Sequence, residues 1–472
     1  MRYELRQIHV PRGIAVALSG ISVLALCMSL AMPGFAFAAP AEEPIPVVPG
    51  NAAPEQFPAA QSCSCHSTLV AQWQESMHSK ALSDPIFLAK VAEGDAATDG
   101  KIGPFCRKCH GPAAEMTGQS GSSSMTGGAA DSIVCSFCHQ VTGTTMPVGN
   151  VSHLVLPTNT FRAQLEDPQA PHAARYSAFH ATSEICGGCH NVNHPVNGMH
   201  LEATYSEWQK SPQAKKGIQC QDCHMSEAPG KKIGPSPGKA AGMGPQREAI
   251  YQMNFVGVQV ELGNAEAATA LLKSAATVEM ELPTVLETDS AEGTVTITNS
   301  GAGHYLPTGL TEVRQMWLTV VSTDKDGKET EIAKRVFGTV LRDAKGNYPA
   351  ELWDATDIQS DDRIAPMESA TVTFTAALPA GADAGTVVAK LQYKATGDEL
   401  AKKSGTKNPT TTMAEATQAI YTSAEAKVAA EAKQTEPAAS TDGLPTWVLM
   451  VSIMAAAVAV AGAAFLFLRK RG

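Results

Sequence analysis

Cys106-Arg107-Lys108-Cys109-His110 opens a series of four runs on which the reading of this chain turns. Cys135-Ser136-Phe137-Cys138-His139, Cys186-Gly187-Gly188-Cys189-His190 and Cys220-Gln221-Asp222-Cys223-His224 follow it, and a shortened relative, Cys63-Ser64-Cys65-His66, precedes it. Two thiols three positions apart, with an imidazole beside the second, meet the needs of covalent haem attachment. The sulfurs form thioethers to the porphyrin vinyls and the histidine takes the proximal iron position. A single such run arises by chance in zinc or redox proteins, but four copies, each closed by His, do not. The pattern predicts haem c at Cys106/Cys109, Cys135/Cys138, Cys186/Cys189 and Cys220/Cys223, with His110, His139, His190 and His224 as proximal ligands. Cys63, Cys65 and His66 predict a fifth haem, held through both thiols or through Cys65 alone, since one intervening residue brings the sulfurs closer than two vinyls require.

Of the 11 cysteines, Cys27 lies in an N-terminal apolar stretch and the other ten all belong to the five runs. No thiol is left for a structural disulfide. Paired zinc knuckles would not place a histidine after every second cysteine.

The ends of the chain predict its location. Arg2, Arg6 and Arg12 precede an apolar stretch from Ile14 to Ala31 and then Ala36-Phe37-Ala38, the pattern of a secretory signal peptide over 1–38. Near the other end, Trp447 to Leu468 is apolar apart from Ser452. At about 1.5 Å per residue such a run is long enough to cross a bilayer core, so 444–468 is expected to be a transmembrane helix. Arg469-Lys470-Arg471 then places the 469–472 tail in the cytoplasm. The expectation is a single-pass cell-membrane protein whose bulk is extracytoplasmic, periplasmic or at the cell surface. The whole chain carries a net charge of -10, and without the leader's +2 and the tail's +3 the part between them carries -15. This argues against nucleic acid or an anionic lipid surface as partner and favours a basic redox partner or none in particular.

Composition divides the rest. Residues 39–60, rich in Pro and Ala, are expected to be a disordered lead-in. Residues 61–230 hold every haem motif in too short a span for a side-chain core, so the porphyrins themselves must supply apolar area, in keeping with an aromatic content of 6%. Residues 231–275 form a connector with a helix, marked by the Gly, Pro and Lys of 231–246. From 276 to 400 the pattern changes to period-two runs: 277–282, 294–298, 316–321, 370–374 and 386–393 alternate polar with apolar and β-branched residues. These predict an all-β, Ig-like sandwich. Residues 401–443 are expected to be a stalk containing a helix from Met413 to Lys433. The expected fold class is thus a mainly α or irregular haem-carrying domain, an all-β sandwich and a C-terminal transmembrane helix.

Iron coordination separates an electron carrier from an enzyme, because a haem with two protein ligands is closed to substrate. Beyond His9 and the five proximal histidines, the chain offers His78, His153, His172, His180, His194, His200 and His304. Seven candidates for five sixth positions favour bis-His electron transfer. His153 and His180 stand among the expected distal ligands on this supply alone.

The segment Pro171-His172-Ala173-Ala174-Arg175-Tyr176-Ser177-Ala178-Phe179-His180, leading to Ser183-Glu184-Ile185-Cys186, resembles the multihaem cytochrome c superfamily that includes hydroxylamine oxidoreductase and its tetrahaem acceptor cytochrome, the c-554 type. So does Thr204-Tyr205-Ser206-Glu207-Trp208-Gln209-Lys210-Ser211, echoed by Trp73-Gln74-Glu75-Ser76-Met77-His78. The resemblance covers 61–225 and implies closely stacked haems with His78 and His172 as distal ligands. Separately, Gly303-His304-Tyr305-Leu306-Pro307-Thr308-Gly309 is similar to an element of β-sandwich domains attached to multihaem cytochromes, and implies that His304 reaches across to a haem. The chain has too few motifs for the octahaem enzymes.

These observations predict a membrane-anchored pentahaem cytochrome. It would relay electrons from a quinol dehydrogenase or other membrane redox protein to an extracytoplasmic reductase or terminal acceptor. Two other readings stay open: a multihaem reductase of a small nitrogen or sulfur compound, which needs one open haem, and a filament-forming or docking subunit of a longer haem wire.

Overall fold

The computed structural model describes residues 43–324, 327–378 and 381–435. The expected leader (1–38), transmembrane span (444–468) and tail (469–472) lie outside the described residues.

The motif-bearing part is built from short helices joined by irregular chain. Ser67–Glu75, Pro85–Ala97, Ile102–His110, Cys135–Cys138, Glu184–Gly187, Thr204–Lys210 and Cys220–His224 are its main helical pieces. Pro85–Ala97 shows why they start where they do: Asp84 caps it by accepting from the Ile86 N–H at 2.9 Å, and Pro85 occupies the first turn, where no N–H is needed. Its far end packs so closely that a Cβ on Gly94 would lie 2.6 Å from Ile102 and 3.0 Å from Trp353. Apolar side chains form a small core here, with Phe57, Trp73, Met116, Val134, Phe137, Val141 and Val155 buried. Cys109, Cys135, Cys138 and Cys189 pack against the same cluster.

Strands run further toward the N-terminus than expected. Ile45–Pro46 pairs antiparallel with His153–Val155, which also pairs with Val141–Thr144. The lead-in is therefore ordered from residue 44 on, tied down by Ile45 and by Phe57, which is fully buried.

From residue 277 the chain forms two antiparallel sheets around one apolar core. Thr277–Glu281, Ser290–Thr298 and Ser369–Ala377 lie side by side in one. The other has the order Glu329–Phe337, Gln315–Thr323, Ala384–Lys394, Thr411–Tyr421. Register follows the alternation: Val295 faces Val372 and Leu318 faces Leu391. Every second residue of Gln315–Thr323 from Met316 to Val320 is buried, and these side chains meet Ile297, Phe337, Phe374 and Ile420 in the core. The helix Ala265–Ala275, capped by Asn264 accepting from Ala267 N–H at 3.0 Å, joins this core through Leu272.

The structure corrects the expected fold class. Among the described residues the sheets are small and scattered over seven separate groups, none with more than four strands, and several of them lie within the motif-bearing part. No helix among the described residues is long and apolar enough to cross a membrane. The longest, Pro85–Ala97, has 13 residues, against the roughly 20 that a bilayer needs. Nothing among the described residues supports the single-pass membrane location, and the span expected over 444–468 lies outside them. The helix expected over Met413–Lys433 is instead the strand Thr411–Tyr421 followed by the helix Ala424–Thr435. Pairing with Ala384–Lys394 along its whole length outweighs the helix propensity of its Ala and Glu residues.

Candidate cofactor site

Four of the five runs lie on helical turns, where residues i, i+3 and i+4 share a face. Cys106, Cys109 and His110 are thereby brought to one side of Ile102–His110, and Cys220, Cys223 and His224 to one side of Cys220–His224. The shortened run sits in the 3₁₀ helix Ala60–His66, kinked at Cys63. With three residues per turn, a 3₁₀ coil favours one face for Cys63 and His66 and leaves Cys65 off it.

Each proximal imidazole is held at Nδ1. The Nδ1–H of His66 donates to Ala240 O at 2.6 Å, that of His110 to Ala81 O at 2.9 Å, that of His139 to Arg162 O at 2.6 Å and that of His224 to Val256 O at 2.6 Å. This fixes the tautomer that leaves the Nε2 lone pair free for a metal. His190 differs, since its Nδ1 faces the Glu202 carboxylate at 3.1 Å.

Histidines then meet in pairs. Ring centroids are 6.2 Å apart for His66 and His172, 6.4 Å for His190 and His78, 5.9 Å for His139 and His180, and 6.3 Å for His224 and His304. Two metal–nitrogen bonds of about 2 Å laid end to end, plus half of each ring, separate centroids by about 6 Å. The spacing therefore fits an iron between each pair. Nδ1 of His180 is buried without a partner while its Nε2 bonds Cys138 O at 3.0 Å, so a lone pair on Nδ1 is left for a metal. Among the described residues no three His, Cys, Asp or Glu side chains converge on one metal position, so the donors are grouped in pairs and not in the quartets of structural zinc.

His110 has no imidazole opposite it among the described residues. Phe87 stacks on its ring at 3.7 Å. His153 is buried against the fourth motif, its Nε2 bonded to Ile185 O at 2.8 Å and its Nδ1 without a partner, but the structure brings it against Phe137 and not against a proximal ring. His194 has both ring nitrogens engaged, by Trp353 O and by the N–H groups of Val196 and Asn197. His200 is exposed.

Burial keeps most of these rings neutral, the form that ligates iron. It pushes His78 down to about 3 and His180 and His224 down to about 4, and it lowers His110, His139 and His153. Burial opposes charge on His190 too, but the hydrogen bond and negative charge of Glu202 outweigh it and raise the ring to about 9. For Glu202, burial acts upward, and the His190 bond overcomes it to lower the carboxyl.

Thiols of different motifs lie near enough to shift one another's ionisation: Cys63 with Cys135, Cys186 with Cys220 and Cys109 with Cys189. Hydrogen bonding from its partner brings both Cys63 and Cys220 down to about 7 against the opposing effect of burial. The attachment edges of motifs one and three, two and four, and four and five are thus adjacent.

His304 reaches its partner on a loop that the motif-bearing part grips. Tyr305 N–H and Thr308 Oγ1 donate to Glu207 Oε2 at 3.1 and 2.7 Å, and Arg363 Nη1 holds Glu207 Oε1 at 2.5 Å. Arg363 also lies over the Tyr305 ring at 4.9 Å. Gly301 admits no side chain, because a Cβ there would be 1.9 Å from Ser274 O.

Sequence reasoning missed Glu202, Glu207 and Glu312. Glu202 had a signal: Asn197-Gly198 is a hairpin dipeptide, and the hairpin pairs Val192 with Glu202, folding the carboxylate back onto His190. Glu312 had none. Both its carboxylate oxygens are buried without a partner, and burial raises it to about 7.

Comparisons with known proteins agree with this chemistry. A family model described as cytochrome c554 and c-prime matches residues 62–140. The chain is similar in structure to a penta-heme cytochrome c552 from Thermochromatium tepidum, with a TM-score of 0.56 and 19% identity, over 80% of this chain and 100% of that one. A putative ApaA protein from Bordetella pertussis matches 31% of this chain and 93% of its own at 16% identity, but with a TM-score of 0.17 it carries no argument. No curated protein matches the chain. Together with the attachment runs, these findings support a multihaem cytochrome c with haem c as its cofactor.

Proposed function

We propose that the chain relays electrons along five haem c groups, from a quinol-linked redox protein to a soluble reductase or terminal acceptor. The observation that carries this reading is the set of four imidazole pairs at 5.9–6.4 Å between centroids, which would close both axial positions of an iron to substrate. Haem c, when bound, supplies reversible one-electron chemistry. The chain's own residues would hold it through the ten motif cysteines and orient the imidazoles through their Nδ1 bonds. Contacts between thiols of different motifs favour short distances between successive sites. The acidic surface favours a partner with a basic docking face.

Intact mass should show five haem additions, and the oxidised protein should give low-spin EPR signals from at least four of them. Four additions would reduce Cys63 and Cys65 to a redox pair. A mainly high-spin spectrum would overturn the relay.

One observation favours a second reading, reduction of a small nitrogen or sulfur compound. His110 faces no second imidazole among the described residues, which is the arrangement an open site needs. A stoichiometric high-spin haem that binds nitrite, hydroxylamine or cyanide, and is lost in His110→Ala while the other haems remain, would establish that reading.

A further inference from the structure

We infer that Glu202 makes the haem site of Cys186, Cys189 and His190 the lowest in reduction potential of the row. The inference rests on the relay reading and adds an energetic order to it.

Four proximal imidazoles donate Nδ1–H to neutral backbone carbonyls. His190 alone among them donates to a carboxylate, at 3.1 Å. An anionic acceptor draws the Nδ1 proton toward itself and makes Nε2 a stronger electron donor, which stabilises the oxidised iron over the reduced one. Placement of Glu202 is fixed by the fold. The hairpin sets Val192 opposite Glu202, and the carboxylate is only 15% exposed, so water screens it little. Thr204 Oγ1 lies 3.3 Å from Glu202 Oε1 and 2.8 Å from Thr308 Oγ1, and its single proton serves one of the two.

The position of this site gives the effect a consequence. The thiols of Cys189 and Cys109, and of Cys186 and Cys220, lie near enough to influence one another's ionisation, so the Cys186/Cys189 motif neighbours those of Cys106/Cys109 and Cys220/Cys223. A low potential there leaves electrons resident on the neighbours and makes motif four a step to be climbed between them.

The test is spectropotentiometry of the full, haem-loaded chain. In Glu202→Gln, with the wild-type haem content confirmed by mass, one reduction wave should move upward by at least tenfold in its equilibrium constant, about 59 mV for one electron. The low-spin EPR signal of one haem should shift with it. Glu184→Gln is the control, because the Glu184 carboxylate accepts from Thr144 Oγ1 at 3.0 Å and lies two residues from Cys186, on an imidazole-free contact. It should move no wave by as much. Unmoved waves in Glu202→Gln, or an equal shift in Glu184→Gln, overturn the inference while leaving the relay intact. If Glu202→Gln does not load haem, Glu202→Asp keeps the charge but draws it back from Nδ1. A smaller upward shift of the same wave then supports the inference, and none overturns it. A wild-type chain without haem reduction waves would overturn both readings.

Discussion

The strand Ser290–Thr298 and the helical turn Cys135–His139 put burial to opposite uses. In the strand, Val295 and Ile297 are fully buried and face the side chains of the other sheet, so apolar area removed from water holds the element in place. In the turn, Phe137 goes inside while the two thiols and the imidazole stay half-buried, groups that gain little from one another. One region closes its own core. The other gathers ligands at the spacing of a cofactor and relies on that cofactor for the rest of its apolar area.

The contrast breaks most visibly if haem is withheld. A chain made without covalent attachment should lose hydrogen-exchange protection across 61–230 while keeping it in 290–298, 315–323 and 384–394. Equal protection in both regions would show that the motif-bearing part has a sufficient core of its own.

The reverse experiment targets the β core. Leu318 is fully buried, so Leu318→Ala should cost roughly 2–5 kcal/mol. The loss should be seen in thermal unfolding followed by β-sheet circular dichroism, with the haem Soret spectrum unchanged below the transition. A parallel change in the haem spectrum would show that the two regions unfold as one.

A third test uses pH. Burial raises the Glu312 carboxyl to about 7 from its usual value, so the folded state holds a proton that the unfolded chain has released. Stability from this group is fully present below the unfolded value near 4.5 and is lost as pH rises through about 7. The span corresponds to about 3 kcal/mol. Glu312→Gln should flatten the fall in melting temperature between pH 5 and 8, and an unchanged slope would mean that the carboxyl is solvated.

The smallest effect is confined to one iron. His304→Ala should turn a single haem high-spin and leave the others low-spin, whereas His200→Ala, on an exposed ring, should change none. A His304→Ala protein with every haem low-spin would make the 6.3 Å approach to His224 a packing contact.

Legibility in the sequence followed the range of the interaction. The attachment cysteines and proximal histidines are local, and their spacing alone marks them. Alternation likewise marked the strand around Met316 to Val320, because the pattern is local to it. Pairings were less accessible: resemblance singled out His78, His172 and His304, but nothing in the sequence said which proximal ring each would meet, and His66 meets His172 across more than a hundred residues. Thr411–Tyr421 was misread because its alternation is diluted by alanine, which suits a helix in isolation and a strand once Ala384–Lys394 is beside it. The membrane span was inferred from apolarity alone, and the described residues contain no helix of the necessary length.

The contacts between thiols of different motifs bear on how the protein is made. Cys63 near Cys135 and Cys186 near Cys220 each set a thiol whose ionisation its neighbour favours beside a second thiol, and thiolate character speeds oxidation. A chain that compacted before receiving its cofactor would therefore staple the wrong sulfurs together and close its own attachment sites. Maturation has to outrun folding, or a reductant has to hold the thiols open. Mass analysis of the haem-free chain after air exposure would show which, by the loss of two hydrogens for each stapled pair.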